Sequence, residues 1–232
     1  MVNVVKSSVV PASLATEKLK VSGSYRMADV VEQIFTDFNN KCYLCEEKEI
    51  TNINVEHFKP HRNANVDLKF DWANLFYCCA HCNNVKGDRI EFDNILNCTL
   101  ESDDVLNKVK LKIEAMPFGE IQVIPLDDDE ATQNTALLLS RIYNGETPLK
   151  LLEGVNLRKR IIREVNEFIN LLFDFDDETN TPEEKEDYRN KLRRKLSEKS
   201  PFTAFKVWTI RGKPELLAEL GDFIPTVAKI YA

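Results

Sequence analysis

Four cysteines in two Cys-x-x-Cys pairs, Cys42/Cys45 and Cys79/Cys82, are the strongest chemical signal in the chain. Each pair can grip one tetrahedral ion from a single turn, and four thiolates together predict a closed structural Zn²⁺ site. The alternative use of paired cysteines is disulfides. The chain shows no signal peptide, so a reducing, cytoplasmic setting is expected, and such a setting disfavours disulfides. Cys78 adjoins a ligand and competes with it, whereas Cys98 reads as a small buried hydrophobe.

The pairs stand further apart than in a zinc ribbon, so the insert must fold before the chain returns to close the site. Within it lie Glu56-His57 and Asn74, and just after the second pair come Asn83 and Lys86. An adjacent acid and imidazole alone carry little weight, because His is often merely a satisfied polar group. Their place between the two cysteine hooks raises that weight.

The positioning elements follow from the local pattern. Ile53 to Val55 starts a strand near whose end Glu56 and His57 point to opposite faces, and Pro60 ends regular pairing. Asn74 precedes Leu75-Phe76-Tyr77, the return strand of a hairpin. A short helix from about Cys79 to Gly87 then carries Asn83 and Lys86 three residues apart. The expected order is cysteine hook, strand, turn, strand, cysteine hook, helix.

These residues resemble the HNH endonucleases, the ββα-metal group, and in particular a zinc-hooked branch whose last motif reads Cys-x-x-Cys-Asn-x-x-Lys-Gly, here Cys79 to Gly87. The wording Glu56-His57-Phe58-Lys59-Pro60, Asp71-Trp72-Ala73-Asn74-Leu75 and Lys86-Gly87-Asp88-Arg89 is further similar to the HNH subunit of bacterial Septu and retron-linked anti-phage systems. The resemblance implies a DNA substrate and an ATPase subunit as partner. It also implies His57 as general base toward water, since an imidazole pKa lies near working pH. Asn74 would orient the loop and the imidazole. Glu56 and Asn83 would offer oxygens to a catalytic Mg²⁺ or Mn²⁺, and Lys86 would contact a backbone phosphate. Many members carry Asp in place of Glu56 and His in place of Asn83; a neutral amide is the weaker ligand, so cation binding is expected to wait for DNA phosphates. His61 reads as a solvent-exposed turn residue, with phosphate contact as its alternative, and His81 likewise reads as exposed.

With 232 residues the chain can bury a sizeable core, and no segment approaches a membrane span. A net charge of -7 does not draw DNA from a distance, so a DNA footprint must be local or supplied by a partner. No Gly-rich phosphate loop is present, so no ATPase of the chain's own is expected. The expected fold is α+β and mostly α-helical. It comprises an N-terminal arm and packing helix (residues 1–40), a zinc-stapled ββα module (residues 41–98) and a mainly helical C-terminal region (residues 99–232).

In the first part, residues 1 to 23 read as an arm or short strand. Ser24 is the expected cap of a helix with Met27, Val30, Val31, Ile34, Phe35 and Phe38 on its buried stripe. In the last part, a hairpin is expected over Lys110 to Pro125, and Asp127 to Glu130 reads as solvated charge or a helix start. A helix closed by Gly145 and Pro148 comes next, then a longer one from Asn156 to Phe173. Arg158, Lys159, Arg160 and Arg163 on the latter, and Arg189 to Lys195 further on, are candidate contacts for DNA or an ATPase. Asp174 to Asp187 between them reads as an exposed acidic loop running into a helix start. The alternative function is a catalytically silent zinc module that binds nucleic acid or a protein, with His57 incidental.

Overall fold

The computed structural model describes residues 1–113 and 119–232. Helices dominate, with two small antiparallel hairpins between them. One contiguous hydrophobic cluster, running from Met1 to Ile224, joins all three parts of the chain.

The N-terminal segment has no regular element before α1 (Ala12–Lys18), a helix that the sequence pattern does not predict. Met1, Val2 and Val4 are buried, and the Val4 N–H donates to the Cys98 carbonyl at 2.9 Å. In α2 (Ala28–Asp37) the cap position is Met27, with no side-chain cap, rather than Ser24. The Ser24 hydroxyl instead accepts the Arg26 N–H at 3.1 Å, closing a local turn that competes with capping. Of the expected stripe Val30, Ile34 and Phe38 are fully buried, whereas Met27 and Phe35 are partly open to solvent.

The expected hairpin forms from β1 (Ile53–His57) and β2 (Leu75–Cys79), in register Val55↔Tyr77 and His57↔Leu75. Every residue of β2 is buried, with α2 packed on it and Phe58 stacked on Phe76 at 4.9 Å. A short α3 (Val66–Phe70) and a 3-10 turn (Trp72–Asn74) fill the connection. β2 runs directly into α4 (Ala80–Lys86), which ends at Gly87 in the left-handed region (φ 56°), where a Cβ is disfavoured.

After α5 (Val105–Lys108), β3 (Val109–Ile113) pairs with β4 (Ile121–Pro125) as expected. Asp129 caps α6 (Glu130–Asn144) by accepting from Thr132 N–H at 3.0 Å, so the acidic run is a helix start. Gly145 ends α6, but Pro148 opens the next helix rather than closing this one: it occupies the first turn of α7 (Pro148–Asp176) behind the Thr147 cap. At 29 residues α7 is longer than expected at both ends. Leu157, Ile161, Val165, Phe168 and Leu172 do form its buried face.

Thr181 and Glu184 form a capping box for α8 (Pro182–Leu196), so the acidic stretch is part helix end, part loop and part helix start. The chain closes with α9 (Thr203–Arg211), α10 (Pro214–Leu220) and α11 (Val227–Ile230). No helix among the described residues is long and apolar enough to cross a membrane.

Several members of the two basic clusters are engaged within the fold. Arg158 is buried and donates to the Tyr143 carbonyl at 2.6 Å, and Arg160 pairs with Glu47 near the zinc hook. Arg189 pairs with Glu219, Lys191 with Asp187, and Lys195 with Glu164 and Glu167. Lys159 and Arg163 remain exposed.

Candidate functional site

The four expected cysteines converge. Their sulfurs all lie within 4.8 Å of one another and all four residues are buried. A tetrahedral ion with sulfur ligands at ~2.3 Å puts neighbouring sulfurs about 3.8 Å apart, and Cys45 and Cys79 Sγ stand 3.9 Å apart. Both hooks are shaped by backbone bonds: the Cys42 N–H donates to the Glu47 carbonyl at 2.9 Å, and Cys79, as the cap of α4, accepts the Cys82 N–H on its sulfur at 3.4 Å. Burial pushes the Cys45 and Cys82 thiols up, an electrostatic cost that a dication bound by thiolates would offset.

The set fits Zn²⁺. All six cysteines are free thiols. Cys78 Sγ lies 3.8 Å from Cys42 Sγ yet falls outside the four-sulfur group. Cys98 is buried, and desolvation pushes its thiol up to about 12.

Beside this centre, Glu56, His57 and Asn83 line one cleft of about 260 Å³. His57 is largely buried, and its Nε2 stands 3.0 Å from the Lys69 carbonyl, which can only accept. In the neutral ring Nε2 therefore carries the proton and Nδ1 keeps its lone pair. Burial is the main cause that brings the imidazole down to about 4, with the positive charges of Lys86 and Arg26 acting in the same sense. Tyr25 and His61 meet the ring edge-on at 4.4 and 4.5 Å and hold its plane. His61 is thus half-buried against His57 rather than free in solvent.

Asn74 is buried and acts through the loop. Its Oδ1 accepts the Lys59 N–H at 2.7 Å, while Nδ2 donates to the carbonyls of Lys59 and Leu68 at 2.9 and 3.0 Å. This clasps both ends of the loop between the strands, one residue from the Lys69 carbonyl that orients His57.

Lys86 is not where a phosphate could meet it. It is fully buried, and its Nζ donates to Glu56 Oε1 at 2.7 Å and to the His57 carbonyl at 3.0 Å. The reason is helical phase: Lys86 lies one turn on from Cys82 and shares its inward face, along with Val85. Burial raises the Glu56 carboxyl, and Lys86 opposes that rise.

His81 is also not exposed. It bridges α4 to α6 and α7, with Nε2 2.8 Å from the Ile142 carbonyl and Nδ1 paired with Glu153. The cleft contains two arginines that sequence reasoning did not single out, Arg26 and Arg62. Arg26 comes from the segment before α2, so no motif spacing could have marked it.

A larger groove of about 850 Å³ between α7 and α8 carries internal ion pairs such as Lys195 with Glu164, and none of these groups. Among the described residues the cysteine centre is the cluster of His, Cys, Asp or Glu close enough to hold an ion, and Glu56 belongs to no such cluster. No protein-family model matches the chain, and a search of curated proteins finds no match.

Proposed function

We propose that the chain is a zinc-stapled, divalent-metal-dependent endonuclease of the HNH type, hydrolysing DNA phosphodiester bonds at the cleft lined by Glu56, His57 and Asn83. The observation that carries this reading is the fixed tautomer of His57: Nε2–H is committed to the Lys69 carbonyl, leaving an unprotonated Nδ1 on a ring that lines the cleft. Burial makes it a weaker base, with a pKa of about 4, than the near-neutral imidazole expected from the sequence. His57 takes a proton from water as the water oxygen attacks phosphorus and the bond to the 3′-oxygen breaks, with solvent returning a proton to the leaving oxygen. Asn74 positions the loop that orients the base.

Glu56 and Asn83, which line the cleft, would be the oxygen donors to a hard cation such as Mg²⁺ or Mn²⁺. The cation supplies neutralisation of phosphate and leaving-oxygen charge when bound. The resemblance to Septu and retron-linked subunits extends this reading to an anti-phage effector working with an ATPase.

The second reading, a silent zinc module, is favoured by one observation: Glu56 is already neutralised by Lys86. Plasmid nicking with Mg²⁺ or Mn²⁺ separates the two, with wild type compared to His57→Ala, each checked for zinc content and run with and without the candidate ATPase. Cleavage by the wild type and its loss in a zinc-loaded His57→Ala protein is the expected result. Absence of cleavage throughout supports the silent module, and equal cleavage by both refutes His57 as base.

A further inference from the structure

A phosphate held at this cleft needs a cation, and the expected one, Lys86, is sealed inside and bound to Glu56. Two arginines line the cleft. Arg62 is engaged: its Nη2 lies 2.9 and 2.8 Å from the two Asp93 carboxylate oxygens. Arg26 is exposed and has no carboxylate partner among the described residues. Its Nη2 donates to the Tyr25 hydroxyl at 3.0 Å, its guanidinium lies over the Tyr25 ring at 5.1 Å, and that ring meets His57 edge-on. Arg26 is thus tethered to the ring that braces the base, with most of its donors uncommitted.

The loop that presents it is built to stay in place. Gly23 beneath it is packed so closely that a Cβ would sit 1.8 Å from the Glu17 carbonyl oxygen. The Ser24 N–H donates to Glu17 Oε2 at 2.9 Å, and Lys69, whose carbonyl holds His57, donates through Nζ to the Gly23 carbonyl at 3.1 Å. A rigid loop and a planar donor fork suit a phosphate, which accepts two parallel N–H bonds. The same loop is tied through Lys69 to the segment that sets the base.

We propose that Arg26, held by Tyr25, is the residue that grips a nucleic-acid backbone phosphate at the His57 cleft, in the place the buried Lys86 leaves unfilled. The proposal rests on the nuclease reading for its substrate, yet it can be decided without cleavage. The test is fluorescence anisotropy of a labelled DNA duplex with zinc-loaded His57→Ala full chain, over a series of salt concentrations. The same chain carrying Arg26→Gln is compared with one carrying Lys213→Gln, a change at an exposed lysine just before α10, outside the cleft and outside both basic clusters.

With Arg26→Gln, affinity at low salt is expected to fall roughly tenfold and the slope of log K against log salt to shrink by about 0.9, the signature of one lost phosphate contact. Lys213→Gln is expected to leave both unchanged. An unchanged slope in Arg26→Gln, an equal loss in both variants, or no detectable binding at low salt with Arg26 in place overturns the proposal. Cleavage is scored separately on the chain with His57 intact. An Arg26-dependent slope in a chain that never cuts sinks the nuclease reading and leaves the clamp; a chain that cuts but shows no Arg26-dependent slope does the reverse.

Discussion

His57 combines a carbonyl that fixes its tautomer with an environment that disfavours its charged form, and the two act on different properties. The Lys69 bond orients the ring, while burial, the first cause of its depressed pKa, keeps the ring neutral down to about 4. The sign of the resulting pH dependence follows directly. An unfolded His takes up a proton as pH falls below about 6.5, but the folded one does so only near 4, so the unfolded state binds more protons between those values. The stability His57 contributes is complete above 6.5 and is lost as pH falls toward 4. Urea unfolding of zinc-loaded protein without added Mg²⁺ is expected to show the stability advantage of wild type over His57→Gln shrinking between pH 7 and pH 4.5. A gap that widens on acidification contradicts it. Asn74 acts at the same scale without touching His57: Asn74→Ala removes three loop bonds, at a cost of about 1–3 kcal/mol for the buried groups left unpaired. A melting temperature unchanged by that substitution counts against the clasp.

At the scale of elements, Lys86 is the tie between α4 and β1. It reaches from the last turn of the helix to Glu56 and to the carbonyl of His57, so the helix that carries Cys82 and is capped by Cys79 is locked to the strand carrying Glu56 and His57. Replacing Lys86 by Met strands a buried carboxylate, and a loss of about 3–5 kcal/mol is expected from breaking a buried pair on one side. The double variant Lys86→Met, Glu56→Leu removes the orphan charge and is expected to regain most of that loss in denaturant unfolding. Additive losses in the double variant argue that the pair is not coupled. His81 ties α4 on its other side to α6 and α7 through Ile142 and Glu153, so the segment carrying Cys79 and Cys82 is anchored both to β1 and to the two long helices.

For the whole molecule, zinc is the expected keystone, since the four sulfurs come from two distant segments and sit in one continuous core. Structural zinc contributes on the order of 10 kcal/mol or more to folding in small zinc domains. Chelation is therefore expected to release one Zn²⁺ per chain and lower the helical circular dichroism signal cooperatively. Cys79→Ser is expected to abolish zinc retention, and Cys78→Ser and Cys98→Ser to preserve it, in metal analysis of purified protein. Loss of zinc in Cys78→Ser reassigns the ligand set. At this scale charge also limits what the chain can do: with a net charge of -7, and with Arg160, Arg189, Lys191 and Lys195 held in ion pairs, any contact with a polyanion must be local.

Much of this was legible in the chain itself, because it depends on spacing along one segment. Two Cys-x-x-Cys turns, an alternating strand, a return strand and a helix stopped by Gly87 are local patterns, and they recovered the sulfur centre, the β1–β2 hairpin and the buried face of α7. Capping was less legible, since Ser24 had two uses for its hydroxyl and only the backbone path chose the turn over the helix. Side-chain partners across the fold were not legible at all. Whether Lys86 meets solvent or Glu56, whether His61 floats or packs on His57, and whether His81 is exposed or wedged against α6 depend on which faces are covered by elements far away in sequence. The same holds for Arg26, which joins the cleft only because α2 and its preceding loop pack beside the hairpin. Residue type and spacing determine which chemistry the chain can assemble; tertiary burial decides which of those charges are spent inside the protein and which remain to meet a ligand.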